Sequence, residues 1–129
     1  MIHVTGLSHG SFPVRDIEVS KKFYGEVLGL AEIPRPAFDF PGAWYAVGDR
    51  QLHLIQNNRL PDRVDDGRKP FPLNTHLALD VADVAAAKEA LEAAGCTYRE
   101  VHSPGNLWQL FVYDPDGNMI ELLGPSAGA

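Results

Sequence analysis

The spacing of apolar and polar positions along this chain changes several times, and each change marks an element. From about Val4 to Phe12 successive positions divide between two faces, Leu7 and His9 on one, Ser8 and Gly10 on the other, which predicts a strand. Asp16 is a candidate N-cap. Ile17, Lys21, Tyr24 and Leu28 then recur at helical spacing, with Phe23 and Val27 beside them, and Gly29 closes the helix. Leu30 to Ile33 predicts a short strand stopped by Pro34. Pro34, Pro36 and Pro41 keep the aromatic-rich loop up to Gly42 irregular. Ala43 to Val47 and Gln51 to Gln56 read as two strands across a Gly48-Asp49-Arg50 turn, so the order is β-α-β-β-β.

The pattern then lapses and restarts. Asn57 to Pro72 is polar and proline-containing without periodicity, which predicts a linker or long exposed loop, with Asp65-Asp66 a solvated acidic pair. Asn74 to Val81 predicts a strand, and Asp83 caps a helix with Val84, Ala87, Leu91 and Ala94 on one face and Gly95 at its end. Thr97 to Val101, Leu107 to Tyr113 and Asn118 to Leu123 supply three more strands. Asp114-Pro115-Asp116-Gly117 is turn chemistry, and the strand after it puts Met119, Glu121 and Leu123 on one face.

The second half is a divergent copy of the first. Val14-Arg15-Asp16-Ile17 matches Val81-Ala82-Asp83-Val84 at an offset of 67 (81 − 14), and Lys21 matches Lys88 at the same offset. His9 and His76 are also 67 apart, and His53 and Glu121 are 68 apart. The expected architecture is α+β: one domain over 1–129, built from a first module (4–57), a linker (58–72) and a second module (73–124).

Composition narrows the setting without naming a chemistry. A chain of 129 residues can bury a core without disulfides, and the single Cys96, read as a small buried hydrophobe, cannot form an intrachain bridge. That pattern, with no apparent leader, suits a cytoplasmic protein. No apolar run approaches the ~20 residues of a membrane span, and a net charge of −6 without a basic cluster argues against nucleic acid and anionic membranes.

The chemistry is in four side chains. His9, His53, His76 and Glu121 sit among apolar neighbours in predicted strands, and a carboxylate so placed is costly unless something positive meets it. A lone strand histidine is more often a core or rim residue than a ligand, but ligand-type residues in two repeat-related pairs favour a metal. Two modules related by an approximate twofold would gather all four around one divalent cation, and Fe, Ni, Co, Mn and Zn all suit such donors. Two coordination positions would then remain for water or two substrate oxygens. His3 shares the parity of His9, but six residues at ~3.3 Å each put it about 20 Å away. His102 lies beside a Ser103-Pro104-Gly105 turn. Both read as surface residues.

The stretches Leu7-Ser8-His9, Val14-Arg15-Asp16, Phe23-Tyr24 and Leu28-Gly29-Leu30, then His76, then Asp114-Pro115-Asp116-Gly117-Asn118 with Glu121, resemble the vicinal oxygen chelate superfamily. That group includes glyoxalase I, methylmalonyl-CoA epimerase, extradiol dioxygenases and the fosfomycin and bleomycin resistance proteins. The resemblance runs from Leu7 to Leu123. It implies paired βαβββ modules whose curved mixed sheets enclose a metal, often completed in a homodimer. It puts His9, His76 and Glu121 on the usual ligand positions and His53 on a fourth, more variable one. That fourth place looks like glutamate in glyoxalase I relatives and glutamine in the epimerase.

The implied function is a metal-dependent isomerase or lyase acting on a small substrate through two adjacent oxygens, with Glu121 as the catalytic carboxylate. An extradiol dioxygenase or a non-catalytic binding or resistance protein are the alternatives. Phe38, Phe40, Trp44, Trp108 and Phe111 are expected to wall the substrate pocket, against the plainer reading of core or dimer packing. No obvious glutathione-binding arginine cluster can be placed, with Arg15, Arg35 and Arg59 the candidates.

Overall fold

The computed structural model describes residues 1–63, 67–105 and 107–126. The chain divides into two compact units, Met1–Leu60 and Pro61–Ala129. The Asp65-Asp66 pair lies outside the described residues.

The first unit contains β1 (His9–Val14), α1 (Ile17–Lys21), β2 (Ala31–Ile33), β3 (Gly42–Val47) and β4 (Arg50–Gln56). Asp16 caps α1 as the sequence predicts, accepting hydrogen bonds from the Glu18 and Val19 amides. The helix then runs on as a π-helical segment, Lys22–Val27, in which Leu28 N–H donates to Phe23 O five residues back. Gly29 ends it at φ 70°, a left-handed conformation suited to glycine. The strands form an open, curved mixed sheet in the order β1-β4-β3-β2, with β1 parallel to β4 and the other pairs antiparallel. One face packs on the helix: Val14, Tyr45, Leu52 and Leu54 are buried with Ile17, Phe23 and Tyr24. Alternation leaves the other face to Ser11, Trp44, Gln51 and His53.

The second unit repeats the plan with β5 (Leu77–Asp80), α2 (Val84–Ala93), β6 (Tyr98–Ser103), β7 (Leu107–Tyr113) and β8 (Met119–Gly124). Asp83 caps α2 by accepting from the Ala85 amide, and Gly95 follows the helix at φ 71°. The sheet order is β5-β8-β7-β6, strand for strand that of the first unit, again with the outer pair parallel. Leu79, Leu110, Val112, Ile120 and Leu122 are buried with Val84 and Leu91 of α2. The expected α+β architecture of two βαβββ modules is therefore present.

Several boundaries differ from expectation. β1 starts at His9 instead of Val4, leaving Met1, Ile2, Val4 and Leu7 exposed, and it runs through Pro13. Proline is tolerated there because β1 is an edge strand. β8 is not half-buried: Met119, Ile120, Glu121 and Leu122 are all buried, so both its faces are covered. The described part of the linker is mostly exposed, as expected, but it is anchored at several points. Arg63 lies over the Tyr113 ring at 4.7 Å and donates to Asp114 O, Pro70 is buried, and Arg99 Nε donates to Pro70 O at 2.6 Å.

Candidate functional site

Parallel pairing of the outer strands brings the candidate side chains together in pairs. In the first unit Ser11 of β1 is opposite His53 of β4, and His9 is two residues before Ser11 on the same face. In the second, Ala78 of β5 is opposite Glu121 of β8, and His76 is two residues before Ala78. The two registers are identical. The antiparallel neighbour extends the likeness, since Trp44 is opposite His53 and Phe111 is opposite Glu121. Each unit thus carries one cross-strand row of aromatic ring, donor and donor.

In the first row the rings stack. His53 lies between Trp44, at 4.0 Å and 1°, and His9, at 4.0 Å and 21°. His53 Nε2 is 2.8 Å from Gln51 Oε1, and Ser8 Oγ is 2.9 Å from His9 Nδ1. Partial burial, then the neighbouring His9, then the Arg35 guanidinium push the His53 imidazole below its ordinary value, which favours the neutral, ligating form.

In the second row His76 precedes β5 instead of sitting at a strand centre, and a backbone contact fixes its tautomer. Nδ1 lies 2.7 Å from Asn74 O, so it carries a proton and donates. Nε2 then faces Glu121 Oε1 at 2.9 Å. A ring nitrogen lone pair and a carboxylate oxygen repel at that distance unless a cation lies between them, a proton or a metal ion. Two ligands bound at about 2.1 Å and at right angles are about 3 Å apart, so the spacing fits a metal's edge as well as it fits a proton. Glu121 is buried, and its other oxygen accepts from Gln109 Nε2 at 3.3 Å. Ser103 Oγ is hydrogen-bonded to Gln109 Oε1, which turns the amide nitrogen toward the carboxylate. The His76 ring meets Phe111 edge-on at 5.4 Å. Asp114, fully buried, builds the turn before β8 by accepting from the Asp116 and Asn118 amides and from Asn118 Nδ2.

Among the described residues, no three His, Cys, Asp or Glu side chains form a group that could hold a metal ion. Strand pairing joins donors within a unit, and the pairs His9–His53 and His76–Glu121 are what it produces. Sequence reasoning missed Gln51 and Gln109. Each stands two residues from a recognised member of its row, His53 and Phe111, on the same face, and that parity was the available signal.

The expected pocket aromatics separate. Phe38, Phe40 and Trp44 form one cluster, with Phe38 5.1 Å from Phe40 and 6.3 Å from Trp44. Phe111 shares the face of Glu121. Trp108 does not: it is three residues from Phe111 in the same strand, hence on the opposite face, where it stacks on His102 at 3.9 Å. His3 and His102 are exposed, as expected. Cys96 is half-buried, and burial pushes its thiol up.

Comparison with known proteins agrees with this construction. The chain is 32% identical over 125 residues to Glyoxylase I 4 of Arabidopsis thaliana, covering 94% of this chain and 71% of that protein. It is 29% identical over 124 residues to lactoylglutathione lyase of Haemophilus influenzae, covering 89% of each. The structure of a glyoxylase/bleomycin resistance protein/dioxygenase domain from Frankia sp. EAN1pec superposes with a TM-score of 0.74 at 25% identity, over 98% of this chain and 96% of that one. With residues 3–122 matching the family as a whole, the chain belongs to the Glyoxalase/Bleomycin resistance protein/Dioxygenase superfamily.

Proposed function

We propose that this protein is a divalent-metal-dependent enzyme of glyoxalase type, a lyase or isomerase acting on a small substrate with two adjacent oxygens. The observation that supports the reading is the His76–Glu121 contact, in which a ring nitrogen and a carboxylate oxygen stand 2.9 Å apart, a spacing that suits two ligands on one cation. His9, His53, His76 and Glu121 are the proposed ligands. A bound divalent cation supplies Lewis-acid stabilisation of negative charge developing on a substrate oxygen.

The remaining work falls to the chain itself. Glu121 is the carboxylate that takes a proton from the carbon beside a carbonyl and returns it to the neighbouring carbon. Gln109 holds Oε2 of Glu121 and so turns Oε1 toward His76. Asn74 O holds the His76 tautomer. Likeness to proteins named glyoxylase I and lactoylglutathione lyase supports the reaction class.

Elemental analysis of purified protein tests the reading, alongside turnover of the hemithioacetal of methylglyoxal. The expected result is about one equivalent of Ni, Co, Mn or Zn with measurable turnover, metal sharply reduced by His76→Ala, and metal retained by His102→Ala. Equal metal in both variants would refute the ligand set. Bound iron with oxygen uptake on catechols would replace the lyase by a dioxygenase. Size-exclusion chromatography at twice the 14.1 kDa chain mass tests the accompanying expectation of a homodimer.

A further inference from the structure

The first unit carries an arginine whose setting differs from that of an ordinary surface charge. Arg35 lies in the loop between β2 and β3, with its guanidinium carbon 4.9 Å from the Phe38 ring and 4.9 Å from the Phe40 ring. Its Nη2 donates to Phe40 O at 2.8 Å. On another side it lies against bare backbone: a Cβ on Gly42 would come within 2.9 Å of Nε and Nη2. The loop that presents it is itself constrained. Pro34, Pro36 and Pro41 fix three φ angles, Phe38 N–H donates to Pro36 O, and Gln56 N–H donates to Pro41 O. The guanidinium is therefore held in place before any ligand arrives.

What it is held for follows from its partners. One N–H is used by Phe40 O, and no Asp or Glu among the described residues pairs with it. Most of a rigid fork of donors is thus left to an anion. Beside it, Phe38 and Phe40 are 46% and 39% exposed, an expensive position for aromatic rings unless a ligand covers them. The ring series continues without a break from Phe40 through Phe38 and Trp44 to His53. Aromatic rings thus run from a fixed positive charge to a candidate metal ligand, with Phe38 and Phe40 partly open to solvent.

We propose that Arg35, Phe38, Phe40 and Trp44 form a subsite for a planar, conjugated or aryl group bearing an anionic substituent, the anion meeting Arg35 and the flat part lying on the rings. The assignment deepens the proposed function by naming a substrate class for that site, and it rests on that reading only for its link to turnover. The series offers aromatic rings and one fixed cation, which together suit a flat aryl acid.

Isothermal titration calorimetry on chelator-treated protein tests the proposal separately from any metal. The probes are 2-naphthoate, its neutral amide 2-naphthamide, and the saturated decalin-2-carboxylate. Saturable binding of 2-naphthoate is expected, with the amide and the saturated acid each weaker by about tenfold or more. Arg35→Met and Phe38→Leu should each lose a similar factor, and His102→Ala should lose none. Equal binding of acid and amide by the unmodified protein would overturn the proposal, as would Arg35→Met protein that binds 2-naphthoate undiminished. Absence of turnover or metal, with naphthoate binding intact, would reject the enzymatic reading and leave the subsite standing.

Discussion

Gln109 donates from Nε2 to Oε2 of Glu121 at 3.3 Å, while the other carboxylate oxygen faces His76. A turned-over amide would set its carbonyl oxygen against the carboxylate, so one glutamine decides which oxygen of Glu121 is left facing His76. Gln109→Leu removes that restraint without adding charge. Affinity for the proposed metal should fall by roughly 10- to 100-fold, the usual size of an outer-contact loss at a metal site. Competition with a chelating dye measures it. Affinity within a factor of two of the original would show that Gln109 does not position the carboxylate.

Asp114 holds the turn that launches β8. Its carboxylate, itself buried, accepts from the Asp116 and Asn118 amides and from the Asn118 side chain in a half-buried turn. Asp114→Ala takes the shared acceptor from those three donors, at a cost of about 1–3 kcal/mol. Urea unfolding gives the value directly. A loss below about 0.5 kcal/mol would mean that the turn is held by the backbone alone.

Tyr45 should limit stability at alkaline pH. Burial, then Glu32, then Glu18 push its phenol up to about 12 from 10.0, and the residue is 1% exposed. The unfolded chain loses this proton from pH 10 upward while the folded chain keeps it. Stability therefore falls as pH rises from 10 to 12, by an amount on the order of 2 kcal/mol. Tyr45→Phe should flatten that part of the curve. Parallel curves for the two proteins would rule Tyr45 out.

His53 gives the complementary case in metal-free protein. Its folded value lies below 6.5, because partial burial, His9 and Arg35 all oppose the imidazolium. Its contribution to stability is full above 6.5 and is lost as pH falls through the folded value. Arg35→Met takes away one positive neighbour, so the His53 titration should shift upward in two-dimensional NMR. A shift downward, or none, would show that the arginine's charge does not reach the imidazole.

The sequence was legible where period and punctuation agree. Asp16 and Asp83 cap helices, Gly29 and Gly95 end them, and the offset of 67 anticipates two sheets of one strand order. It was less legible where tertiary contacts override local pattern. Pro13 belongs to β1 because an edge strand needs no amide there, a fact about neighbours and not about residue 13. The π-helical segment leaves no mark in apolar spacing, yet it lets adjacent Phe23 and Tyr24 both be buried. Trp108 is a different failure, since counting three residues to Phe111 would have placed it on the far face. Which oxygen of Glu121 faces His76 could not be read from the chain, because that depends on Ser103 and Gln109 meeting across two strands.

The identical registers of β1 with β4 and β5 with β8 make His53 and Glu121 interchangeable seats on one scaffold. Putting glutamate at 53, or histidine at 121, would alter the summed charge of the proposed ligands by one step while leaving the main chain undisturbed. Tandem duplication would thereby supply an electrostatic dial for the proposed cation, turned through single exchanges at mirror positions.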